Sequence, residues 1–429
     1  MSFRGKVWVL ILSGAIAAYA VVGGLPLVGD VLSARAQQTA NDPNAQLKIV
    51  ESVLNHIQND YVDVPDMSKV RLGALRGLAN GLDPYSSYLT AEQVKAYEAN
   101  KTAAMPGIGA EFSQAMGYPY VISTVKGSPA DKAGLKAGDV IEYIDDKATR
   151  DISLYDAKQL VNGDPGTSVN LRVLRPGEKA LTLKLVRGTY KLPSADARLE
   201  ASKIGVIKVY SLENGAAADI KTQVQNLTRQ GAQKIVLDLR GVAAGTLHEG
   251  ASVANLFIRD GELARVVGRD SKVTQTLTAD PSKVIFDGNV VVLIDRGTAG
   301  AGEAIASAIL ERKRGEVVGE KSFGAGTEQA FFPLSSGGGY LLTVAKWASP
   351  GGKPFLGEDR ATTGVKPSVE VKRPDTPEPL DVEELVEQQQ ENPAQPTPAK
   401  PEAPKEDLQL KKALEILGQK VAATKAGSE

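Results

Sequence analysis

Apolar residues return every three or four positions between residues 46 and 98, the period of one face of an α-helix. Leu47, Val50, Val53, Leu54 and Ile57 mark a first helix, and Val70, Leu72, Leu75 and Leu78 a second. The stretch Asp60-Tyr61-Val62-Asp63 separates them. Residues 82–89 read as a turn followed by another helix start, because Asp83-Pro84 and Ser86-Ser87 supply turn and cap chemistry. From residue 102 to 192 the texture changes to short strands, expected at 120–125, 140–144, 169–174 and 181–186. Between them, residues 128–135 predict a short capped helix stopped by Gly134, and residues 136–139 a tight turn. Beyond residue 204, β-branched runs at 204–209, 234–239 and 290–294 suit a parallel or mixed sheet buried on both faces. Helices are expected at 216–230, 249–256 and 302–312, which makes the layering α/β. Residues 373–407, rich in Pro, Glu, Gln and Ala, predict a disordered linker. Leu410, Leu414, Leu417 and Val421 then space a terminal amphipathic helix.

With 429 residues the chain exceeds one core. The pattern predicts a multidomain α/β protein with an N-terminal helical segment (46–101), a β-rich module (102–192), an α/β core (193–372), a disordered linker (373–407) and a C-terminal helix (408–425). Charge is nearly balanced, with 50 basic and 51 acidic residues, which argues against a nucleic-acid partner. There is no cysteine, and the histidines are His56 and His248 alone, so no thiolate nucleophile and no Cys- or His-rich metal site is expected. No cofactor is implied. Arg4 and Lys6 precede an uncharged run over residues 7–29 that is long enough to cross a bilayer. Ala34-Arg35-Ala36 before Gln37 resembles a signal-peptidase site, so residues 1–36 read either as a membrane anchor or as a cleaved signal peptide. Both readings export the chain and predict a periplasmic or other extracytoplasmic place in the cell envelope.

Residues 102–192 resemble a PDZ domain of the bacterial protease type. The resemblance is carried by Gly107-Ile108-Gly109, the 128–135 helix, Gly138-Asp139-Val140-Ile141, Gly166-Thr167-Ser168-Val169 and the strand ending at Arg187-Gly188. It implies an extended peptide added as a strand, with its terminal carboxylate held on loop amides at Gly107, Ile108 and Gly109. Glycine suits that loop because the backbone must approach the ligand closely.

The span from residue 46 to 372 is similar to the carboxyl-terminal processing (tail-specific) serine proteases. Leu82-Asp83-Pro84-Tyr85-Ser86, Leu237-Asp238-Leu239-Arg240, the run 293–303, the run 318–324, Gln329 and Gly364-Val365-Lys366-Pro367 carry it, and residues 410–417 look like that family's tail helix. The family's chemistry uses a serine activated by a neutral lysine. The resemblance puts the serine at position 300 and the lysine at position 325, where this chain has Gly300 and Ala325. Gln329, which in the family orients the lysine, is retained. The loop after Arg240, which helps form the family's oxyanion hole, reads Gly241-Val242-Ala243-Ala244-Gly245 in place of Asn-Asn-Pro-Gly-Gly, so Gly245 and Ala301 mark the oxyanion region.

The expected function is therefore that of a pseudoprotease that binds peptide or protein C-termini, with an active protease relative as a further expected partner; the alternative is an active endopeptidase with reassigned residues. Thr298, Ser307 and Ser322 are the hydroxyls near enough to be reassigned, although Thr298 reads as turn scaffold and Lys321 and Ser322 as residues facing opposite ways. His248 reads as a surface or capping residue, Asp238 and Arg240 as a structural pair, and Glu311-Arg312-Lys313-Arg314 as a solvated helix end. Trp347 and Phe355 flank a loop that resembles a substrate-side loop, and core packing explains them equally. The terminal helices are expected to support a homodimer, again by resemblance.

Overall fold

A computed structural model describes residues 43–99, 107–176, 178–359, 362–373 and 406–426. The expected anchor or signal segment and nearly all of the expected linker lie outside the described residues. Among those described, no helix is long and apolar enough to cross a membrane. The chain divides into two units between Ala74 and Leu75. The first holds helix α1 (Pro43–Asp60) and the opening of α2 (Met67–Asn80). Leu47, Val50 and Val53 of α1 stay exposed.

In the second unit, the segment expected to turn directly into a helix instead passes through a short strand, β1 (Ser87–Leu89), before α3 (Ala91–Ala99). All three β1 residues are buried, and three residues are too few to display a period. The β-rich module follows with β2 (Ala110–Ala115), β3 (Tyr118–Thr124), α4 (Pro129–Lys132), β4 (Val140–Ile144), β5 (Lys147–Ala148), α5 (Leu154–Val161), β6 (Ser168–Leu174) and β7 (Leu181–Val186). Its antiparallel sheet runs β2-β3-β4-β6-β7, with β5 on β4, so β2 is an edge strand. The Ser128 hydroxyl caps α4 by accepting the Asp131 N–H, and Pro129 occupies the first helical turn. Asp156 of α5 accepts from Gln93 of α3 and pairs with Arg76 of α2, which ties this helix to the helical segment.

The α/β core contains β8 (Asp196–Glu200), β9 (Ile204–Lys208), α6 (Ala216–Arg229), β10 (Lys234–Asp238), α7 (Leu247–Asn255), β11 (Glu262–Val267), β12 (Val273–Thr278), β13 (Asn289–Ile294), α8 (Ala301–Glu311), β14 (Gly315–Gly319), β15 (Thr327–Pro333), β16 (Gly339–Ala348), β17 (Val369–Glu370) and α9 (Leu408–Ala426). The central sheet runs β17-β14-β13-β10-β9-β8 and is parallel except for β8. Successive strand side chains face opposite ways. Ile207, Ile235, Leu237, Val290 and Val292 therefore pack with α6, α7 and α8, while Val206, Val236, Val291 and Leu293 pack with Ala413 and Leu417 of α9.

A second, antiparallel sheet, β1-β16-β11-β12 with β15 on β16, was not expected from the sequence. Most of β12 faces outward, so it lacks the apolar alternation that announces a strand. At the charged end of α8, Glu311, Arg312 and Lys313 are exposed, as the solvated reading expects, while Arg314 is half-buried. Arg314 donates to the carbonyls of Phe257, Phe286 and Gly288, Arg312 to that of Glu262, and Glu311 accepts the Gly351 N–H. These long side chains staple the helix end to neighbouring loops.

Candidate functional site

Gly300 stands where β13 gives way to α8, as the N-cap residue, with φ +53° and ψ −108°. That backbone is strained for any residue with a Cβ, and such turns are used to lift a nucleophile off the top of a strand. The bend is present without the side chain. A Cβ at position 300 would lie 3.3 Å from the Trp347 ring, and one at Gly326 only 2.8 Å from it. Trp347 thus covers both turns, and its Nε1 donates to Glu328. Phe355, by contrast, is plain core at 2% exposure.

Glu303 joins the two turns. It is fully buried at the third position of α8, from which a carboxyl can reach back to the N-cap. Its Oε2 accepts the Gly300 N–H at 2.8 Å and the Ala325 N–H at 2.9 Å, and its Oε1 accepts the Ser322 hydroxyl at 2.5 Å. Burial pushes the carboxyl up to about 7, against the opposing pull of Ser322 and of the amides of Ala325, Gly300 and Gly324. Ser322 also accepts the Val365 N–H at 2.7 Å. Sequence reasoning did not single out Glu303. The signal available was its place three residues after an N-cap.

The three nearby hydroxyls are all engaged. Thr298 Oγ1 donates to the Leu239 carbonyl and accepts the Asp295 N–H, which makes it scaffold as expected. Ser307 Oγ bonds the Ala304 carbonyl within its own helix. Ser322 donates to Glu303. Among the described residues, neither lysine nor histidine is a hydrogen-bond partner of these three hydroxyls. His248 is exposed at the start of α7 with Gln275 beside it, and Gln329 bonds Thr327 and Thr343 on the β15–β16 hairpin.

The loop after β10 is held at both ends. Asp238 and Arg240 pair at 2.7 Å, as expected, and the same guanidinium reaches Asp407 and Gln409 at the start of α9. Burial alone would raise the Asp238 carboxyl, but the hydrogen bonds of Arg240 and the charges of Lys208 and Arg240 hold it below its ordinary value. Asp295 Oδ1 accepts the N–H groups of Gly241 and Gly297, locking this loop to the turn. It is Val242 that touches the turn, its carbonyl accepting the Ala299 N–H at 2.9 Å. Gly245 lies further along, bridged to Leu212, and Ala301 opens α8 beside Gly250 of α7. Gly245 lines a cleft of about 610 Å³ with Ala243, Thr246, Glu213 and Glu111 of β2. Burial, then the nearby Glu111, raises the Glu213 carboxyl above its ordinary value.

In the β-rich module, the carbonyls of Gly107, Ile108 and Gly109 are turned inward. They accept from Gly188 N–H, from Ala130 N–H, and from Val125 N–H with the Ser128 hydroxyl, respectively. Gly109 has φ +74°, and a Cβ there would sit 2.3 Å from that of Ser128. The loop leads directly into the open edge of β2. Among the described residues, no group of three His, Cys, Asp or Glu side chains could hold a metal ion.

Comparison with known proteins matches residues 203–371 to the family described as peptidase family S41 and residues 120–175 to the PDZ domain. Carboxy-terminal processing protease CtpA of Bacillus subtilis (strain 168) is 30% identical over 371 residues, covering 86% of this chain and 78% of that protein. The chain belongs to the carboxyl-terminal processing proteases. A CtpA-like serine protease of Staphylococcus aureus (strain N315) is 32% identical over 333 residues, 77% of this chain and 66% of its own. Among solved structures, the photosystem II D1 C-terminal processing protease superposes with a TM-score of 0.62 at 26% identity, covering 76% of this chain and 93% of its own. Gly300 and Ala325, at the two turns joined through Glu303, bear only hydrogen and methyl as side chains.

Proposed function

We propose that this chain is a catalytically silent member of its family, an exported PDZ-containing protein that captures peptide or protein C-termini and does not cut them. The observation that carries the reading is the pairing of Gly300 with Ala325, side chains with neither nucleophile nor proton acceptor, on two turns held together by the Glu303 carboxyl. The engaged states of Thr298, Ser307 and Ser322 support it: Thr298 and Ser307 donate to backbone carbonyls, and the buried Ser322 hydroxyl is held between the Glu303 carboxyl and the Val365 N–H. The capture role is supported by the inward-turned carbonyls of residues 107–109 and by the unpaired edge of β2, which accept a peptide as an added strand. The N-terminal basic residues and uncharged run support export, and with it work in the cell envelope, alone or beside an active relative.

Purified protein lacking residues 1–36 is incubated with an unfolded protein substrate, and its binding to a C-terminal peptide library is measured beside the same peptides amidated at the C-terminus. The expected result is no cleavage, with binding to free but not amidated C-termini. Cleavage that survives repurification and disappears on changing Thr298, Ser307 or Ser322 would replace this reading with that of a working endopeptidase.

A further inference from the structure

We propose that the cleft between β2 and the loop after β10 receives a lysine or arginine side chain from the penultimate residue of a captured C-terminus, held between Glu111 and Glu213. The inference rests on the capture reading and adds a ligand class to it. The backbone fixes which ligand residue arrives there. Ala110 and Phe112 of β2 pack in the module's apolar core with Leu154, Ala157 and Val161 of α5. Successive strand side chains alternate, so Glu111 and Ser113 face the other way. On that side the Glu111 charge acts on Glu213, Tyr190 and Tyr85. A peptide whose terminal carboxylate sits on the amides of residues 107–109 sets its last residue against Ala110 and its penultimate residue against Glu111. Residues directly opposite in such a pair share a face. The last side chain therefore turns toward the apolar face of Phe112, and the penultimate one toward the cleft.

The cleft suits a cation. Its volume of about 610 Å³ leaves room for a long side chain. Glu111 and Glu213 both line it, and no lysine or arginine does. Among the described residues, neither carboxylate has an ion-pair partner. Two acids that meet across a cleft repel each other, and a cation placed between them relieves both. The raised Glu213 carboxyl reports that repulsion together with burial. Tyr190 stands by both acids and packs on Gly109, where a Cβ would come within 2.9 Å of its Cζ. Its ring offers a flat wall to lysine methylenes or to a guanidinium. On the same side of β2, the Tyr85 hydroxyl is buried beside Ser113 without closing a hydrogen bond. That leaves a donor for a polar ligand residue two places further from the end.

The test uses the full-length chain in detergent and fluorescein-labelled octapeptides of Ala and Ser that end in Ala, Val, Leu or Phe. Each is made with Lys, Ala or Glu at the penultimate position, and one more set carries its Lys a single place further back. Anisotropy titrations should show penultimate Lys binding roughly tenfold more tightly than Ala, with Glu weakest and the displaced Lys no better than Ala. Glu111→Gln and Glu213→Gln should each cut the Lys-to-Ala ratio to about threefold, and both together to about one. Glu213→Lys should turn the preference toward penultimate Glu. A ratio near one in the natural chain, a ratio that survives both glutamines, or equal gain from Lys at either position would overturn the proposal. Binding that ignores the penultimate residue leaves the capture reading standing and removes this one alone; no binding by any peptide removes both.

Discussion

The Glu303 carboxyl accepts the Ala325 N–H at 2.9 Å, and through that bond the turn before α8 and the turn before β15 are held as one body. The same oxygen holds Gly300. A buried carboxyl that ties two loops by their backbones acts independently of the side chains the loops bear.

Stability should fall as pH rises through the carboxyl's range. The Glu303 pKa is about 7 in the fold against 4.5 for the free side chain, so the folded state binds the extra proton in between. Its contribution is fully present below pH 4.5 and is lost as pH climbs through about 7, at most about 3 kcal/mol. Urea denaturation from pH 4.5 to 8 should show this slope, and Glu303→Gln should flatten it. Parallel profiles for the two proteins would rule it out.

Gly300→Ser should destabilise. With φ at +53° and Trp347 3.3 Å from the new Cβ, the cost is about 1–3 kcal/mol. A shift in the urea midpoint checks this. An unchanged midpoint would mean that the turn relaxes freely.

Arg240→Ala should cost more than Asp407→Ala. The first strands Asp238, 5% exposed, with Lys208 alone, at about 3 kcal/mol. The second removes a partner from Arg240 at a half-exposed position, about 1 kcal/mol. Chemical denaturation of both variants gives the order, and equal losses would show that the two acids share the guanidinium evenly.

Gly109→Ala should abolish capture of C-terminal peptides, because its Cβ would collide with Ser128 and Tyr190 and open the loop. Titration calorimetry with the best library peptide reads this out. Retained affinity would place the carboxylate elsewhere.

Much of the fold was legible because its signals are local. The α6 and α8 periods, the Ser128 cap with Pro129, and the β-branched runs of β9, β10 and β13 each sit within a few residues. The antiparallel sheet was not legible, since β1 is three residues long and β12 shows solvent nearly all its side chains. Arg314 alone of the charges at the end of α8 misled, for a related reason: it looks solvated until the carbonyls of Phe257, Phe286 and Gly288 are brought to it, 57, 28 and 26 residues away.

The sequence by itself determined what chemistry positions 300 and 325 lack, because the identity of a side chain is a local fact. It equally determined the glycines that let the backbone bend at 109 and 300. Only the tertiary structure decided what those absences are filled with. Glu303 spans 22 residues to Ala325, Trp347 arrives from β16, and Arg240 meets Asp407 across 167 positions. Such contacts arise from the packing of whole elements, and no window along the chain contains both partners.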